Sequence, residues 1–147
     1  MLEAIESVLA REQPDVVLVY GDTNSTLAGG LAAAKLHVPV AHVEAGLRSH
    51  NRLMPEETNR VLVDHLSAYL FCPTQRAVKN LSGEGLTRGV HLVGDVMCDS
   101  LHYQLTRLEG GERITRSLGF GLKEYALASI HRAEITNEPE RLRALSG

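Results

Sequence analysis

Residues 16–43 read VVLVYGDTNSTLAGGLAAAKLHVPVAHV and determine which fold this chain can adopt. Two short apolar runs, at 16–20 and 39–43, flank a run of small and aliphatic residues that has the length of an ordinary helix. Short continuous apolar runs are typical of strands buried in a parallel sheet, and a helix is the usual connection between two such strands. The stretch therefore predicts a strand, a helix over 23–36 and a second strand parallel to the first.

The same alternation continues along the rest of the chain. Further strands are predicted at 68–72, 90–93 and 125–130, and further helices at 1–13, 55–66, 74–84, 95–108 and 137–145. Strands that alternate with helices in this order form a parallel sheet with helices packed on it. The predicted fold class is α/β, a Rossmann-like parallel sheet with helices on both faces.

The stretch 109–124 interrupts this pattern, because it contains four glycines and little apolar periodicity. Such a stretch is typical of a linker between domains. Residues 1–108 are therefore assigned to one domain and residues 125–147 to the start of a second. The chain begins with a helix that runs into a strand and ends in a short helix, so we expect it to be an internal part of a longer protein.

The charged residues are mixed and dispersed, with 15 basic and 18 acidic side chains and a net charge of −3. The chain has no block of like charge, which argues against binding to nucleic acid or to an anionic membrane surface. No apolar run approaches the roughly 18 to 20 residues of a membrane span, and the N-terminus lacks a signal-peptide pattern. We therefore expect a cytoplasmic protein.

The two cysteines, Cys72 and Cys98, lie apart in apolar surroundings and are predicted to be reduced residues of the core. No structural metal and no cofactor is predicted. The motifs of P-loop nucleotidases, of simple dinucleotide-binding dehydrogenases, of serine hydrolases and of zinc proteases are all absent from the sequence.

Ionisable residues follow three of the predicted strands. Asp22 comes after the first strand, Glu44 after the second, and His131 and Arg132 after the last. Ligands of open parallel sheets bind beyond the carboxyl ends of the strands. If the first two strands are neighbours, about 5 Å apart, Asp22 and Glu44 lie close together, an arrangement that suits general acid–base chemistry. The His-Arg pair is a candidate for anion binding.

Each of these residues also has a structural explanation. Asp22, or Thr23 after it, could cap the helix that starts there. Glu44 could form a structural ion pair with Arg48. A lone histidine is more often structural than functional, and this is how we interpret His42, inside the second strand, and His65 as well.

Two glutamates open the helix predicted at 55–66. Pro55 and the acids after it are typical of a helix start, where the helix dipole favours negative charge. At 3.6 residues per turn, Glu56 shares a polar face with Asn59 and Arg60 that could line a cleft. The predicted apolar, buried stripe consists of Val61, Leu62, His65 and Leu66. Glu57 is interpreted as a helix-start charge only.

Five segments of the chain carry a family resemblance. They are VYGDTNSTLAGGLAA (19–33), VPVAHVEAGLRSHNRLMPEETNR (38–60), VDHLSAYLFCPT (63–74), VHLVGDVMCDSL (90–101) and IHRAE (130–134). These segments resemble the non-hydrolysing UDP-N-acetylglucosamine 2-epimerases. The most specific part of the resemblance is HVEAGLR followed by PEETNR. The resemblance implies a glycosyltransferase-B-like fold of two Rossmann-like domains, of which this chain holds the later part of the first and the start of the UDP-binding second.

The resemblance also implies a reaction, the isomerisation of UDP-N-acetylglucosamine to UDP-N-acetylmannosamine for surface polysaccharide precursors. The family is thought to eliminate UDP to give 2-acetamidoglucal and then to add UDP back, because the C2 proton is not next to a carbonyl. Asp22, Glu44 and Glu56 match the essential acidic residues of the family, and His131 matches its histidine near the diphosphate, with Arg132 as a further candidate. Which acid removes the proton and which returns it stays open.

The partners implied by the resemblance are UDP-N-acetylglucosamine and UDP, with a homodimer for the full-length enzyme. Several alternatives share the fold: a hydrolysing 2-epimerase, a UDP-2,3-diacetamido-sugar 2-epimerase and a retaining glycosyltransferase. A non-catalytic UDP-sugar-binding fragment is the alternative of another class. The resemblance gives little reason to expect activity from these 147 residues alone.

Overall fold

The computed structural model describes residues 1–107, 112–121, 125–130 and 133–146. The chain divides into two compact units, Met1–Gln104 and Leu105–Gly147.

The first unit alternates helices and strands as the sequence predicts. Its elements are α1 (Leu2–Glu12), β1 (Val17–Tyr20), α2 (Asn24–Lys35), β2 (Val40–Val43), α3 (Pro55–Leu66), β3 (Tyr69–Cys72), α4 (Gln75–Gly83) and β4 (Val90–Leu92), followed by α5 (Val96–Arg107). The four strands form one sheet in the order β1-β2-β3-β4, and every neighbouring pair is parallel. The predicted first four strands are confirmed to within one residue at each end.

The core of this unit lies between the sheet and the helices α1 to α4. One cluster joins Leu9 of α1, small residues of α2 and Val63 of α3 to Val19 and Val40 of the sheet. A second cluster joins α4 to β3 and to the loop after β2, and consists of Ala45, Leu70, Cys72, Ala77 and Leu81. Leu70 and Cys72 alternate along β3, and the strand register places Val19 and Val40 on the same face of the sheet.

The opposite face of the sheet carries Leu18, Tyr20 and Tyr69, which are about half exposed. The strands follow one another across the sheet without a reversal, and right-handed connections made in one direction place their helices on one side. Helices on both faces were predicted, and within the described part of the chain α1 to α4 cover only one.

Where the structure describes the second unit, it contains three short helices, α6 (Glu112–Ser117), α7 (Ala133–Thr136) and α8 (Pro139–Ser146). The predicted strand at 125–130 is wrong, because these residues form neither strand nor helix. A parallel strand requires a hydrogen-bonded neighbour, and none is found among the described residues of this unit. The helix α6 lies inside the predicted linker 109–124, and the assignment of the two units to domains of a larger enzyme stays a prediction.

Two further observations bear on the sequence predictions. Cys72 is buried as expected, but Cys98 is exposed, so its assignment to the core was wrong. In the ranges that the structure describes, no helix combines the length and the apolar character that a membrane crossing requires.

Candidate functional site

The turn after β1 and the residue after β2 meet at the carboxyl edge of the sheet. The Gly21 N–H donates a hydrogen bond of 3.1 Å to the Val43 carbonyl. A Cβ atom added to Gly21 would lie 3.6 Å from Oε2 of Glu44, so the Glu44 carboxylate lies against the Gly21-Asp22 turn. The two strand ends predicted to come together are thus adjacent.

Glu44 has an unusual backbone conformation, with a φ of 71° in the left-handed region. A residue with a side chain pays about 1 to 3 kcal/mol for such a conformation, which persists where the surrounding structure enforces it. The side chain is partly buried. Among the described residues, none forms a hydrogen bond or an ion pair with its carboxylate.

The structural alternative for Glu44, an ion pair with Arg48, does not form, because Arg48 binds other carboxylates. Its Nη1 atom lies 2.7 Å from Oδ2 of Asp64, while Nε and Nη2 donate to the two carboxylate oxygens of Glu84, each at 2.7 Å. The Arg48 side chain is only 2% exposed. Burial opposes its charge, but the hydrogen bonds to Glu84 and Asp64 outweigh burial and raise the pKa of Arg48 above its ordinary value.

Asp64 is the centre of a polar cluster beneath this edge. The cluster consists of His42, Arg48, Asp64 and Glu84. Its Oδ2 atom accepts hydrogen bonds from the Gly46 N–H at 3.1 Å and from Arg48, and its Oδ1 atom lies 2.7 Å from Nδ1 of His42. The other ring nitrogen of His42 lies 2.8 Å from the Gly21 carbonyl. His42 therefore has buried structural contacts, as interpreted, and it connects the cluster to the turn that carries Asp22.

Gly46 is required by the close packing of this loop. Its φ is 79°, and a Cβ atom there would lie 2.5 Å from the Ala77 carbonyl oxygen of α4. Asn80 of α4 donates a hydrogen bond of 2.9 Å to the Gly46 carbonyl. The loop that begins with Glu44 is thus fixed to both α3 and α4.

Asp22 does not cap α2. Thr23 does so, because its hydroxyl accepts a hydrogen bond from the Thr26 N–H at 3.3 Å, while the Thr26 hydroxyl accepts one from the Thr23 N–H at 3.2 Å. The Asp22 carboxylate instead pairs with Arg60 of α3, with 2.5 Å between Oδ2 and Nη2. The side-chain amide of Asn59 donates to the Asp22 carbonyl at 2.9 Å. The Asp22 turn is held by α3.

Glu57 has a larger role than that of a helix-start charge, and the earlier interpretation was wrong. It is only 4% exposed, and its carboxylate accepts hydrogen bonds from the N–H and hydroxyl groups of Ser49 and from the N–H of His50, at 2.8 to 2.9 Å. Arg60 lies 3.3 Å away, so this one arginine bridges Glu57 and Asp22.

The sequence contained a signal for this role of Glu57. It is the third residue of α3, the position from which a glutamate reaches back to N–H groups before a helix. Burial alone would raise its pKa, but the hydrogen bonds from Ser49 and His50 and the charge of Arg60 outweigh burial and lower the pKa of Glu57 below its ordinary value.

We predict that Glu57→Gln lowers the free energy of unfolding by about 1 to 3 kcal/mol, because the new amide would point its NH₂ group at N–H donors. The folded pKa of Glu57 lies below the unfolded value, so its contribution is present above the unfolded pKa and is lost as the pH falls through the folded pKa. Urea unfolding at neutral and at acidic pH should show a gap between wild type and variant that narrows in acid. The matched control is the exposed neighbour, Glu56→Gln, for which we expect a change below about 0.5 kcal/mol. Equal losses in both variants would contradict the assignment.

Glu56 is exposed, and no described residue pairs with it. The predicted apolar stripe of α3 is wrong: Leu62 is 46% exposed, whereas the buried residues are Glu57, Asn59, Val63 and Asp64. This face is polar because it packs against the turn after β1 and the loop after β2, both of which offer hydrogen-bonding groups.

His131 and Arg132, the predicted anion-binding pair, lie outside the described residues. His65 is half exposed and lies 3.5 Å from Glu84. The described part of the chain contains no cluster of His, Cys, Asp or Glu that could hold a metal ion.

Comparison with known proteins identifies the family. The family model described as UDP-N-acetylglucosamine 2-epimerase matches residues 1–147. A UDP-N-acetylglucosamine 2-epimerase homolog of Methanococcus maripaludis is 54% identical over 143 residues, which cover 97% of this chain and 40% of that protein. The UDP-2,3-diacetamido-2,3-dideoxy-D-glucuronate 2-epimerase of Pseudomonas aeruginosa is 52% identical over 149 residues, which cover 99% of this chain and 40% of that protein.

A solved structure agrees with these relatives. The crystal structure of Methanocaldococcus jannaschii UDP-GlcNAc 2-epimerase in complex with UDP-GlcNAc and UDP superposes on this chain with a TM-score of 0.88 at 47% identity. The match covers 99% of this chain and 40% of the Methanocaldococcus chain. The chain thus spans about 40% of the length of the relatives it matches. The α/β class, a Rossmann-like part of a glycosyltransferase-B-like fold, is confirmed. The chain belongs to the UDP-N-acetylglucosamine 2-epimerase family.

Proposed function

We propose that the enzyme containing this chain inverts C2 of UDP-N-acetylglucosamine to give UDP-N-acetylmannosamine, and that Glu44 is one of its acid–base groups. The observation that carries the proposal is the state of Glu44: a partly buried carboxylate without a partner among the described residues, beside the Gly21-Asp22 turn and on a left-handed backbone. Family membership supplies the substrate class.

The conformation of Glu44 argues for a functional rather than a structural role. Its backbone costs about 1 to 3 kcal/mol, and partial burial of a carboxylate without a cation costs more. Arg48, the cation that could have compensated the charge, is bound by Asp64 and Glu84 instead. A ligand that donates a hydrogen bond to the Glu44 carboxylate, or that exchanges a proton with it, would offset these costs.

The proposed reaction has two steps. In the first, the C1–O bond breaks and UDP departs with the bonding electrons, while a carboxylate takes the C2 proton and the C1=C2 double bond of 2-acetamidoglucal forms. In the second, a phosphate oxygen of UDP adds to C1, and an acid delivers a proton to the opposite face of C2. Two acid–base groups on two sides of the sugar are therefore required.

We assign the second acid–base group to Asp22 or Glu56. Arg60 and Asn59 fix the Asp22 turn, so the carboxylate is oriented before a ligand arrives. Glu56 is exposed at the start of α3 and is free to approach a ligand. His131 and Arg132 are proposed to bind the diphosphate, whose departing charge needs cationic stabilisation.

A second substrate is supported by a specific observation. The Pseudomonas aeruginosa relative is named for a UDP-2,3-diacetamido-2,3-dideoxy-D-glucuronate substrate, and it is 52% identical over 99% of this chain. The same elimination and re-addition at C2 would apply, since C1 and C2 carry the same groups. The competing candidate is therefore a 2-epimerase for that uronate.

The test is isotope exchange with the full-length enzyme in deuterated water. Each UDP-sugar is incubated separately, and deuterium at C2 of the recovered sugar nucleotide is measured by mass spectrometry and NMR. We expect exchange with UDP-N-acetylglucosamine; exchange with the diacetamido-uronate alone would favour the competing candidate. Release of free N-acetylmannosamine would assign the hydrolysing class, and no exchange with either substrate would overturn the proposal. The 147-residue chain, assayed in parallel, tests whether these residues suffice.

The proposal also covers the ligands, the assembly and the cellular location of the enzyme. UDP-N-acetylglucosamine and UDP are its proposed ligands, and a homodimer is the assembly implied for the full-length protein. A cytoplasmic location is part of the proposal, and the balanced charge of the chain and a nucleotide-sugar substrate are consistent with it. Size-exclusion chromatography with light scattering of the full-length protein measures the assembly directly.

A further inference from the structure

The ring of His42 lies between two hydrogen-bond acceptors. Nδ1 is 2.7 Å from the Asp64 carboxylate, and Nε2 is 2.8 Å from the Gly21 carbonyl. The side chain is fully buried, so no bulk water reaches either nitrogen. A neutral imidazole has one N–H group and one lone pair, and it would point that lone pair at one of the two oxygens.

We propose that His42 carries a proton on both ring nitrogens and that this imidazolium positions the Gly21-Asp22 turn for catalysis. Both nitrogens then donate, one to Asp64 and the other to Gly21. The role as a positioning residue rests on the proposed function, whereas the protonation state rests on the geometry alone.

The charges around His42 are consistent with an added proton. Asp64 on α3 and Glu84 at the end of α4 are negative, Arg48 in the loop after β2 is positive, and a protonated His42 makes the cluster neutral. On β3, burial followed by the charge of Asp64 raises the pKa of Cys72 to about 11, so its thiol adds no charge.

The other groups of the cluster locate the proton on the ring rather than on Asp64. The Oδ2 atom of Asp64 accepts hydrogen bonds from the Gly46 N–H and from the Arg48 guanidinium, and both donors favour the ionised carboxylate. His65, also on α3, is half exposed and pairs with Glu84 rather than with Asp64.

The hydrogen bond to Gly21 is what connects His42 to the site. Gly21 has a φ of 63°, its N–H is bound by the Val43 carbonyl and its own carbonyl by His42. The Glu44 carboxylate lies against this residue, and Asp22 follows it. Loss of the ring proton would turn a lone pair toward the Gly21 carbonyl and would displace the turn, without His42 touching the substrate.

The first experiment is ¹⁵N NMR of the histidine rings in the full-length enzyme near neutral pH. The His42 signals are assigned by their disappearance in His42→Asn or, if that variant does not fold, by through-bond correlation. We expect both ring nitrogens at imidazolium shifts with two protected N–H protons. One nitrogen at the shift of an unprotonated imidazole would overturn the proposal. This readout needs no substrate, so it stands or falls separately from the proposed epimerase activity.

The second experiment separates the two hydrogen bonds of the ring. The amide nitrogen of His42→Gln reaches the place of Nε2 and can donate to Gly21, whereas that of His42→Asn reaches the place of Nδ1 and can donate only to Asp64. We expect the kcat of C2 exchange to fall by about 10²-fold in the Asn variant and clearly less in the Gln variant, with KM changed little in both. Equal losses in kcat, or losses confined to KM, would refute a positioning role through Gly21.

Discussion

Replacing Glu44 by glutamine is expected to lower the rate of deuterium exchange at C2 by about 10²- to 10⁴-fold while the fold stays intact. Glutamine has the shape of glutamate but cannot accept or deliver a proton. The substitution breaks no ion pair, because Arg48 is bound by Asp64 and Glu84 and no described residue pairs with Glu44. Exchange is measured on the full-length enzyme, and the fold by circular dichroism and thermal unfolding.

Two further variants make this result specific. Glu44→Gly removes the same carboxylate and also relieves the left-handed backbone at φ 71°, so it should lose exchange and yet gain about 0.5 to 1 kcal/mol of stability. Glu6→Gln, an exposed change on α1, is the matched control and should alter neither property. Unfolding of Glu44→Gln, or exchange retained to within tenfold, would contradict a catalytic role.

The sequence predicted the sheet because the sheet depends on local pattern. The apolar runs at 16–20, 39–43, 68–72 and 90–93 are each long enough for one buried strand, and all four form. The run at 125–130 has the same pattern but does not form a strand, because no neighbour within the described part of its unit offers hydrogen bonds. Strand formation depends on a partner that the pattern does not contain.

The polar cluster could not be predicted in the same way. Arg48 has Glu44 four residues away, yet it binds Glu84, which is 36 residues away in the chain. His42 and Asp64 are separated by 22 residues. Such partners follow from the packing of α3 and α4 on the sheet and leave no local periodicity, which is why helical spacing predicted an apolar stripe on α3 where a polar face is buried.

Arg48→Met is the substitution with the largest expected effect on stability, a loss of about 3 to 5 kcal/mol. The side chain keeps its volume but loses its charge. The carboxylates of Asp64, which is fully buried, and of Glu84 would then share one positive group, the proposed imidazolium of His42, and one negative charge would stay uncompensated. Thermal unfolding of the full-length enzyme, followed by amide hydrogen exchange in β2 and α3, would measure the loss and locate it.

The contrast between the two partners of Arg48 tests this explanation. Glu84 is 31% exposed, and the glutamine of Glu84→Gln keeps one oxygen that can accept a hydrogen bond from Arg48, so this change should cost only about 0.5 to 1.5 kcal/mol. Arg48→Lys should fall between the two, because a single ammonium group cannot bind both carboxylates in the same geometry. If Glu84→Gln costs as much as Arg48→Met, the stability comes from the ion pair between Arg48 and Glu84 and not from compensation of Asp64. In that case the proton proposed on His42 is sufficient to compensate Asp64.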